Sequence, residues 1–456
     1  MPAKAELLTA LTILGKQNEE IRNRRRAICG KCENGTIRTD GSINCKICGC
    51  QDPTTWRLRC KLGKWGITPI AGCLYYNAVR QICIKGNENC FGCTERVEQK
   101  MPEVAAPRKL VLTNWQSPGD VLMITATVRD LHKAYPGQFI TDMRTSCDVI
   151  WQYNPYVTRL GGAEIDKAAA EARDTQKVIE RDGITYIPMM YPDVNRSNQS
   201  SHHYIEAFNH YLEPILNLKL ELSEFKPEIY MGPDELRWMS QVSGVGVHEE
   251  FWLVNTGGKW DYTAKWPNPY TLQKVIDHFR GKLLFVQIGD KDNWQPQLTN
   301  VVDFVGMTDM RQLIRLIYHS SGVLTPCNGI MHLAAAVPSR PGWPPRACVA
   351  LGGAREPTHW EAYPWHRYLS TQGALPCANF YGCWKSRCTP VGDSDSKDSA
   401  GERCQNYVDY PPPKSPWCRQ RLERLYVPKC LDMISPARII ESIQDYYEGR
   451  SLKWPT

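Results

Sequence analysis

No apolar run in the 456-residue chain approaches the roughly 18 residues that a membrane-spanning helix requires. Met1 to Glu20 lacks the basic start, apolar centre and small-residue cleavage site of a secretory leader, so a soluble, cytoplasmic protein is expected. Strong charge of one sign is missing as well. Lys plus Arg number 55 against 48 Asp plus Glu, and a formal charge of +7 is modest for a chain meant mainly to coat nucleic acid. There is no internal repeat, and Tyr410 to Pro413 is the only low-complexity piece. Cysteine is absent from Asp148 to Pro326, although the whole chain carries 19. Ten of these lie between Cys29 and Cys93 and six between Cys377 and Cys430. Clustered thiols without an export signal exclude a disulfide-stapled secreted scaffold and point to metal.

The first cluster has a readable spacing. Cys29-x2-Cys32-x12-Cys45-x2-Cys48 forms two hooks close to the zinc-ribbon type, and a tetrahedral zinc takes four such ligands with little strain. Cys50, Cys60, Cys73, Cys83, Cys90 and Cys93 supply a second site, most simply with Cys90 and Cys93 as one hook. Iron or an iron–sulfur cluster uses the same ligands, so zinc and iron both remain open.

After a linker, "VAAPRK", the texture changes at residue 109. The run Lys109 to Thr113 suits a buried strand. It leads through "NWQSPGD" into a segment whose Val121, Ile124, Val128 and Leu131 recur at helical spacing. Further on, strands are expected at Phe251–Asn255, Leu283–Ile288, Val301–Val305, Gly322–Thr325 and Ala347–Leu351. Helices are expected at Tyr270–Arg280, Asp309–His319 and Ile330–Val337. Such alternation implies parallel sheets covered on both faces. The reading is α/β, with two Rossmann-like, doubly wound domains at 109–245 and 246–376. They are flanked by a cysteine-rich metal-binding module at 1–108, a cysteine finger at 377–430 and a C-terminal helix at 431–456. Residues 183–240 read as a less regular stretch.

In open α/β sheets ligands meet the carboxyl ends of strands, where glycine turns and helix N-termini offer backbone N–H groups. Three segments fit. Gly119 and Asp120 open the first helix, where Asp120 is either a carboxylate at the cleft or simply the helix cap. Gly257, Gly258, Lys259 and Lys265 follow a strand and suit a pyrophosphate. Thr325, Cys327, Asn328, Gly329 and His332 run from a strand end into a helix, with His332 either facing the cleft or satisfied inside the fold. His202 and His203 lie in a polar loop that an acceptor could meet.

In order and spacing, "PGDVLMITATVRDLHKAYPG", "KWP", "DFVGMTDMRQLIRLIYHSSGVLTPCNGIMHLAAAV" and "CVALGGAREPTHWEAYP" resemble glycosyltransferase family 9, the ADP-heptose heptosyltransferases, over roughly residues 109–440. The tail "GALPCANFYGCWKSRC" and "VPKCLDMI" is similar to a cysteine-containing subgroup that includes bacterial autotransporter heptosyltransferases. The resemblance implies a GT-B architecture, with acceptor on the N-terminal half, nucleotide-sugar on the C-terminal half and a final helix that crosses back. It implies inverting transfer with Asp120 as general base, Lys265 at the donor phosphate, and Asn328, Gly329 and His332 at the donor-side helix. It also implies Cys377, Cys383, Cys404 and Cys430 as ligands of a structural metal, with Cys388 and Cys418 as spares or substitutes. Where the family usually carries Asp in contact with the donor, this chain has Cys327, and a thiol is a poor acceptor for sugar hydroxyls. The transferred sugar is heptose or another.

Lys265, Lys259 and the helix N-terminus at Gly329 can stabilise a departing diphosphate without a bound cation, so no divalent metal is expected in the catalytic cleft. The expected partners are a nucleotide-diphosphate sugar, an acceptor that is a saccharide, lipid, protein or nucleic acid, and a further copy of the chain as homo-oligomer. Two alternatives stand beside this reading. One is a glycosyltransferase in which Arg22 to Arg26 and the cysteine module deliver a nucleic-acid or protein acceptor. The other is a non-catalytic, metal-stabilised binding protein of the same fold.

Overall fold

The structure is a computed structural model that describes residues 35–37, 43–45, 76–77, 82–83, 106–190, 200–243, 250–391, 403–414, 422–449 and 451–452. The chain divides into two compact units, Met1–Ala105 and Ala106–Thr456. The first shows two short antiparallel hairpins, β1 (Gly35–Ile37) with β2 (Ile43–Cys45) and β3 (Tyr76–Asn77) with β4 (Ile82–Cys83). Cys29, Cys32, Cys48, Cys50, Cys60, Cys73, Cys90 and Cys93 lie outside the described residues, as do the side chains of Cys45 and Cys83.

Among the described residues the second unit holds two larger sheets and one two-stranded sheet. In the N-terminal half, β5 (Arg108–Asn114) pairs in parallel with β6 (Phe139–Thr145) on one side and β8 (Ile184–Pro188) on the other, and β7 (Ile179–Arg181) joins β8 antiparallel at the edge. Leu110, Val111 and Leu112 are fully buried, as the continuous apolar run demands of a strand covered on both faces. Helix α1 (Pro118–Ala134) starts at the extended Ser117 with Pro118 in its first turn, where proline removes no needed N–H. It is buried on every side from Val121 to Leu131, polar Arg129 and Asp130 included. Arg129 is satisfied there by Asp130 at 3.0 Å and by the carbonyls of Lys226 and Glu224, both at 2.8 Å. Helix α2 (Ala163–Thr175) covers the sheet near β7 and β8.

The stretch 183–240 is more regular than expected. It contains β8, a helix α3 (Tyr204–Leu216) packed on α1, and the short α4 (Pro233–Arg237). The apolar face of α3 carries Tyr204, Ile205, Phe208 and Leu212 at helical spacing, behind a polar loop that masks the pattern.

The C-terminal half is a six-stranded parallel sheet in the spatial order β11-β10-β9-β12-β13-β14. The strands are β9 (Phe251–Asn255), β10 (Leu284–Ile288), β11 (Val302–Asp303), β12 (Gly322–Pro326), β13 (Ala347–Gly353) and β14 (His366–Ser370). Counted from β9 this is the 3-2-1-4-5-6 order of a dinucleotide-binding sheet, and its switch point falls between β9 and β12. Helices α5 (Pro269–His278), α6 (Met310–His319) and α7 (Gly329–Ala336) connect these strands. Asp309 caps α6 through Gln312 N at 2.8 Å, and Asn328 caps α7 through Ile330 N at 2.9 Å. Beyond β13 come the short α8 (Thr358–Glu361), the antiparallel pair β15 (Tyr407–Tyr410) and β16 (Leu425–Pro428), and α9 (Lys429–Asp432).

The final helix, α10 (Pro436–Glu448), corrects one expectation. It packs on the C-terminal half, against α5 and β13, rather than crossing back. Ile439, Ile443, Tyr446 and Tyr447 form its buried stripe. The Tyr447 hydroxyl accepts from Trp252 Nε1 at 2.7 Å, and the Tyr446 hydroxyl bonds the Cys348 carbonyl at 3.0 Å. Among the described residues no helix is long and apolar enough to cross a membrane.

Candidate active site

The carboxyl ends of β5, β9, β12 and β13 bring the two halves together. Gly119, in the first turn of α1, meets Gly329, the first residue of α7. A Cβ on Gly119 would stand 3.3 Å from Gly329 Cα and 3.4 Å from His332 Cδ2. Two helix N-termini, each with a partial positive charge, therefore abut across the seam between the halves.

Asp120 lies beside this contact. It is not the cap residue. Ser117 takes that place, and Asp120, three residues on, accepts the Ser117 N–H at 3.0 Å with Oδ2. Oδ1 accepts from the Tyr204 hydroxyl at 2.7 Å. Burial raises the proton affinity of this carboxyl above the usual 3.8, opposed by Tyr204, then Lys265 and His332. One carboxylate of the N-terminal half is thus tied electrostatically to two residues of the other.

On the C-terminal side, Asn255 and Asn328 join the ends of β9 and β12 through a 2.8 Å hydrogen bond at the switch point. Thr325 is fully buried and donates to Asn328 Oδ1 at 3.1 Å. The glycine loop differs from expectation. Gly258 N–H is committed to the Trp294 carbonyl at 3.1 Å, and a Cβ on Gly257 would come within 1.8 Å of that carbonyl oxygen. Gly257 allows close packing against Trp294 and Gly258 pairs with Trp294 through its backbone, so the Gly258 N–H is not free for a phosphate. Lys259 reaches over the seam and donates to Ser117 Oγ at 3.1 Å.

Lys265 forms a 2.6 Å ion pair with Glu356. Arg355 pairs with the same carboxylate, and its Nε donates to the Lys385 carbonyl at 2.5 Å. Burial disfavours charge on Glu356, but Lys265 and Arg355 outweigh it and hold the carboxyl down at about 2. Likewise Glu356 overcomes the burial of Lys265 and holds its ammonium above the usual value. Cys327 is 4% exposed, and burial followed by the fields of Glu356 and Glu361 pushes its thiol well above the ordinary value, so it stands protonated. His332 is buried with Nε2 3.2 Å from Glu361 and Nδ1 2.8 Å from the Tyr363 hydroxyl. His203 is buried as the cap of α3, accepting from Ile205 N, and burial lowers it to about 3. His202 is exposed and packs edge-on against His210. Of the acceptor-side candidates, Gly119 and His203 reach the seam, His203 with its ring centre 5.2 Å from that of Tyr363 in the C-terminal half, whereas His202 does not.

Sequence reasoning did not single out Tyr204, Arg355, Glu356, Glu361 or Tyr363. The last four follow β13, and the signal was the "ARE" after a strand of small residues, at a carboxyl end where ligands meet parallel sheets.

Cys327, Glu356 and Glu361 are, among the described residues, the one group of three potential ligands whose donor atoms lie within 4.8 Å of one another. Lys265 and Arg355 already neutralise Glu356, and the thiol is protonated, so the trio is poorly suited to a cation. The tail cysteines are elsewhere. Cys377, Cys383, Cys404 and Cys430 line one small cavity with Ala354, Arg355 and Lys385. A hydrogen bond from Cys388 draws the Cys404 thiol down to about 7, and burial pushes Cys430 up to about 12. Cys418 lies outside the described residues. Four thiols on one cavity suit a thiophilic ion in chemistry, although no three of them have their sulfurs within 4.8 Å of one another.

The chain is similar in structure to glycosyltransferases of family 9 and to heptosyltransferases. A family 9 glycosyltransferase from Veillonella parvula matches at 16% identity and a TM-score of 0.44, over 59% of this chain and 86% of that one. The iron-containing dodecameric glycosyltransferase TibC from enterotoxigenic E. coli matches at 14% and 0.48, over 78% and 83%. The E. coli ADP-heptose lipopolysaccharide heptosyltransferase II matches at 15% and 0.45, over 75% and 100%. No family model and no curated protein matches the chain.

Proposed function

We propose that the chain is an inverting glycosyltransferase that moves a sugar from a nucleotide diphosphate to an acceptor hydroxyl. One observation carries this reading: a carboxylate of raised proton affinity, Asp120, stands at the seam between two α/β halves, facing Lys265 and the N-terminus of α7 from the other half. A hydroxyl attacking an anomeric carbon must lose its proton, and Asp120 is a base suited to take it. Its Tyr204 and Ser117 hydrogen bonds fix its orientation. The departing diphosphate gathers negative charge, which Lys265, Lys259 and the first turn of α7 stabilise. Asn328 sets the entry of α7, while Gly257 and Gly258 hold the Lys259 loop on Trp294. Because Gly119 and Gly329 touch, a donor enters only when the halves part, and closure then brings Asp120 to the reacting carbon and excludes water.

Cys377, Cys383, Cys404 and Cys430 would hold a zinc or iron ion, which would pin the polypeptide behind Arg355. That role is structural, since the cavity they line is built from the tail and the base of the loop rather than from Asp120 and its neighbours.

Titration with ADP, UDP, GDP and their sugars tests the donor half of the proposal, and failure of every one to bind would remove it. Asp120→Asn is expected to lower turnover by roughly 10²- to 10⁴-fold with donor affinity nearly unchanged, read by single-turnover kinetics and calorimetry. Unaltered turnover would take Asp120 out of the mechanism.

A further inference from the structure

Asp120 is oriented from two sides, and one of them leads into the other half of the molecule. Its Oδ1 accepts from the Tyr204 hydroxyl at 2.7 Å. Tyr204 is the buried first residue of α3, so its neighbours decide where that hydroxyl points. Within α3 it meets Phe208 one turn on, with ring centroids 5.3 Å apart and planes tilted by 31°. From the C-terminal half it meets Trp360 of α8, with centroids 4.9 Å apart and planes inclined by only 21°. Trp360 is itself buried, and Trp384 stands edge-on to it at 6.0 Å. Trp384 is held by two hydrogen bonds, its backbone N–H to the Arg355 carbonyl at 3.1 Å and its Nε1 to the Tyr381 carbonyl at 2.7 Å. The flanking residues of α8 also touch the N-terminal half. His359 Nε2 lies 2.9 Å from the Ser200 carbonyl, and the Tyr363 hydroxyl lies 3.3 Å from Met123 Sδ. Of these three contacts, the one made by Trp360 reaches the side chain that bonds Asp120.

Resting on the reading of Asp120 as the base, we infer that Trp360 is a positioning residue: its indole face fixes the plane of the Tyr204 ring and so keeps the Tyr204 hydroxyl on Asp120 while α8 is seated on α3. The ring torsion of a tyrosine is broad, and a flat partner from outside its own helix narrows it. Stacked aromatic pairs are favourable beyond the area they bury, which gives the indole a preferred geometry to impose. Without it the hydroxyl turns away from Asp120 for part of the time, and the carboxylate loses a bond that favours its ionised form. The base is thereby tied to the meeting of the halves, since Trp360 belongs to one and Tyr204 and Asp120 to the other. The remaining groups that act on Asp120 are Lys265 and His332 from the C-terminal half and the Ser117 amide at the start of its own helix. Trp360 carries no charge, so it acts on Asp120 through Tyr204 or through the water that its removal admits. These two routes have opposite signs. Water would ease ionisation of a buried carboxyl, whereas a lost hydrogen bond hinders it.

The test follows the Asp120 carboxyl itself and needs no substrate. The full chain is prepared with aspartate isotopically labelled at the side-chain carboxyl carbon, and the Asp120 resonance is identified by its loss in Asp120→Asn. Its titration midpoint is then read by nuclear magnetic resonance. In Trp360→Ala the midpoint is expected to rise by roughly half to one pH unit, the size of one hydrogen bond to a carboxylate. Trp360→Phe keeps a flat ring and should stay close to the unmodified protein. In Tyr204→Phe the midpoint is already raised, and adding Trp360→Ala should raise it no further. Trp360→Leu, apolar but without a ring face, replaces Trp360→Ala should that variant lose its native circular dichroism. A midpoint that stays or falls on loss of the indole, or a rise of equal size with and without the Tyr204 hydroxyl, overturns the inference. The assignment of Asp120 as base fails separately, if Asp120→Asn leaves turnover unaltered, whatever the midpoint does.

Discussion

At the scale of single residues, Asp120 was legible because a carboxylate behind a Ser-Pro-Gly turn at the end of a strand announces both a helix start and a ligand-facing position. Its partner was not. Tyr204 lies 84 residues on, in a stretch whose polar approach hides an amphipathic helix, and only tertiary packing brings its hydroxyl within 2.7 Å. Glu356 was equally hidden. Nothing local marks which of two adjacent charged residues faces Lys265, nor that both cations share one carboxylate. The Tyr204 bond has a measurable consequence, since it lowers a proton affinity that burial raises. Tyr204→Phe is therefore expected to move the acid limb of the kcat/KM profile to higher pH, with Asp120 needing less acid to become protonated. A limb that stays in place or moves down would mean that Asp120 is not the titrating base.

At the scale of elements, strand and helix alternation carried the reading of the C-terminal half. Period and length matched the expected strand at Phe251–Asn255 to the residue and placed the helices expected at Asp309–His319 and Ile330–Val337 within one residue of where they start and end. The final helix shows the limit of such reading. Its stripe of Ile439, Ile443, Tyr446 and Tyr447 says that one face is buried but not against what, and Trp252 and the Cys348 carbonyl decide it. The contact of α1 with α7 is likewise a property of assembled elements, and it is asymmetric. A methyl on Gly119 meets backbone at 3.3 Å, whereas one on Gly329 meets nothing closer than 3.6 Å. Gly119→Ala is expected to wedge the helix starts apart and lower kcat on the order of tenfold to a hundredfold, with donor affinity largely kept. Gly329→Ala should come close to the unmodified enzyme. Equal effects in steady-state kinetics would show that the seam does not close as tightly during turnover as in the structure.

At the scale of the whole molecule, protons act on the second unit's stability, and a metal on the tail cysteines would act on it as well. If Cys377, Cys383, Cys404 and Cys430 hold an ion, a chelator that strips it, or Cys383→Ser, should lower Tm by roughly 5 °C or more, with metal content falling in parallel. A Tm that ignores the loss of bound metal would confine these thiols to packing. Protons act through the buried groups at the seam. His203 is lowered from 6.5 to about 3, so below 6.5 the unfolded chain binds a proton that the folded one refuses. Glu356 is lowered from 4.5 to about 2, so its contribution is complete above 4.5 and is lost as the pH falls toward 2. Both groups make the unfolded state the better proton binder in acid, so these lowered groups pull stability down with pH in two stages, the first beginning near 6.5 and the second near 4.5. His366, also held down to about 3 by burial, adds to the first stage, and the raised Asp120 and Asp142 oppose the second. Each group contributes a slope of about 1.4 kcal/mol per pH unit within its own window. Urea unfolding at pH 8, 6, 5 and 4 measures this directly. His203→Gln should flatten the slope between pH 6 and 5 by about one proton's worth while leaving the steeper loss below 4.5, and a stability independent of pH from 8 to 4 would mean that neither group is held as the structure has it.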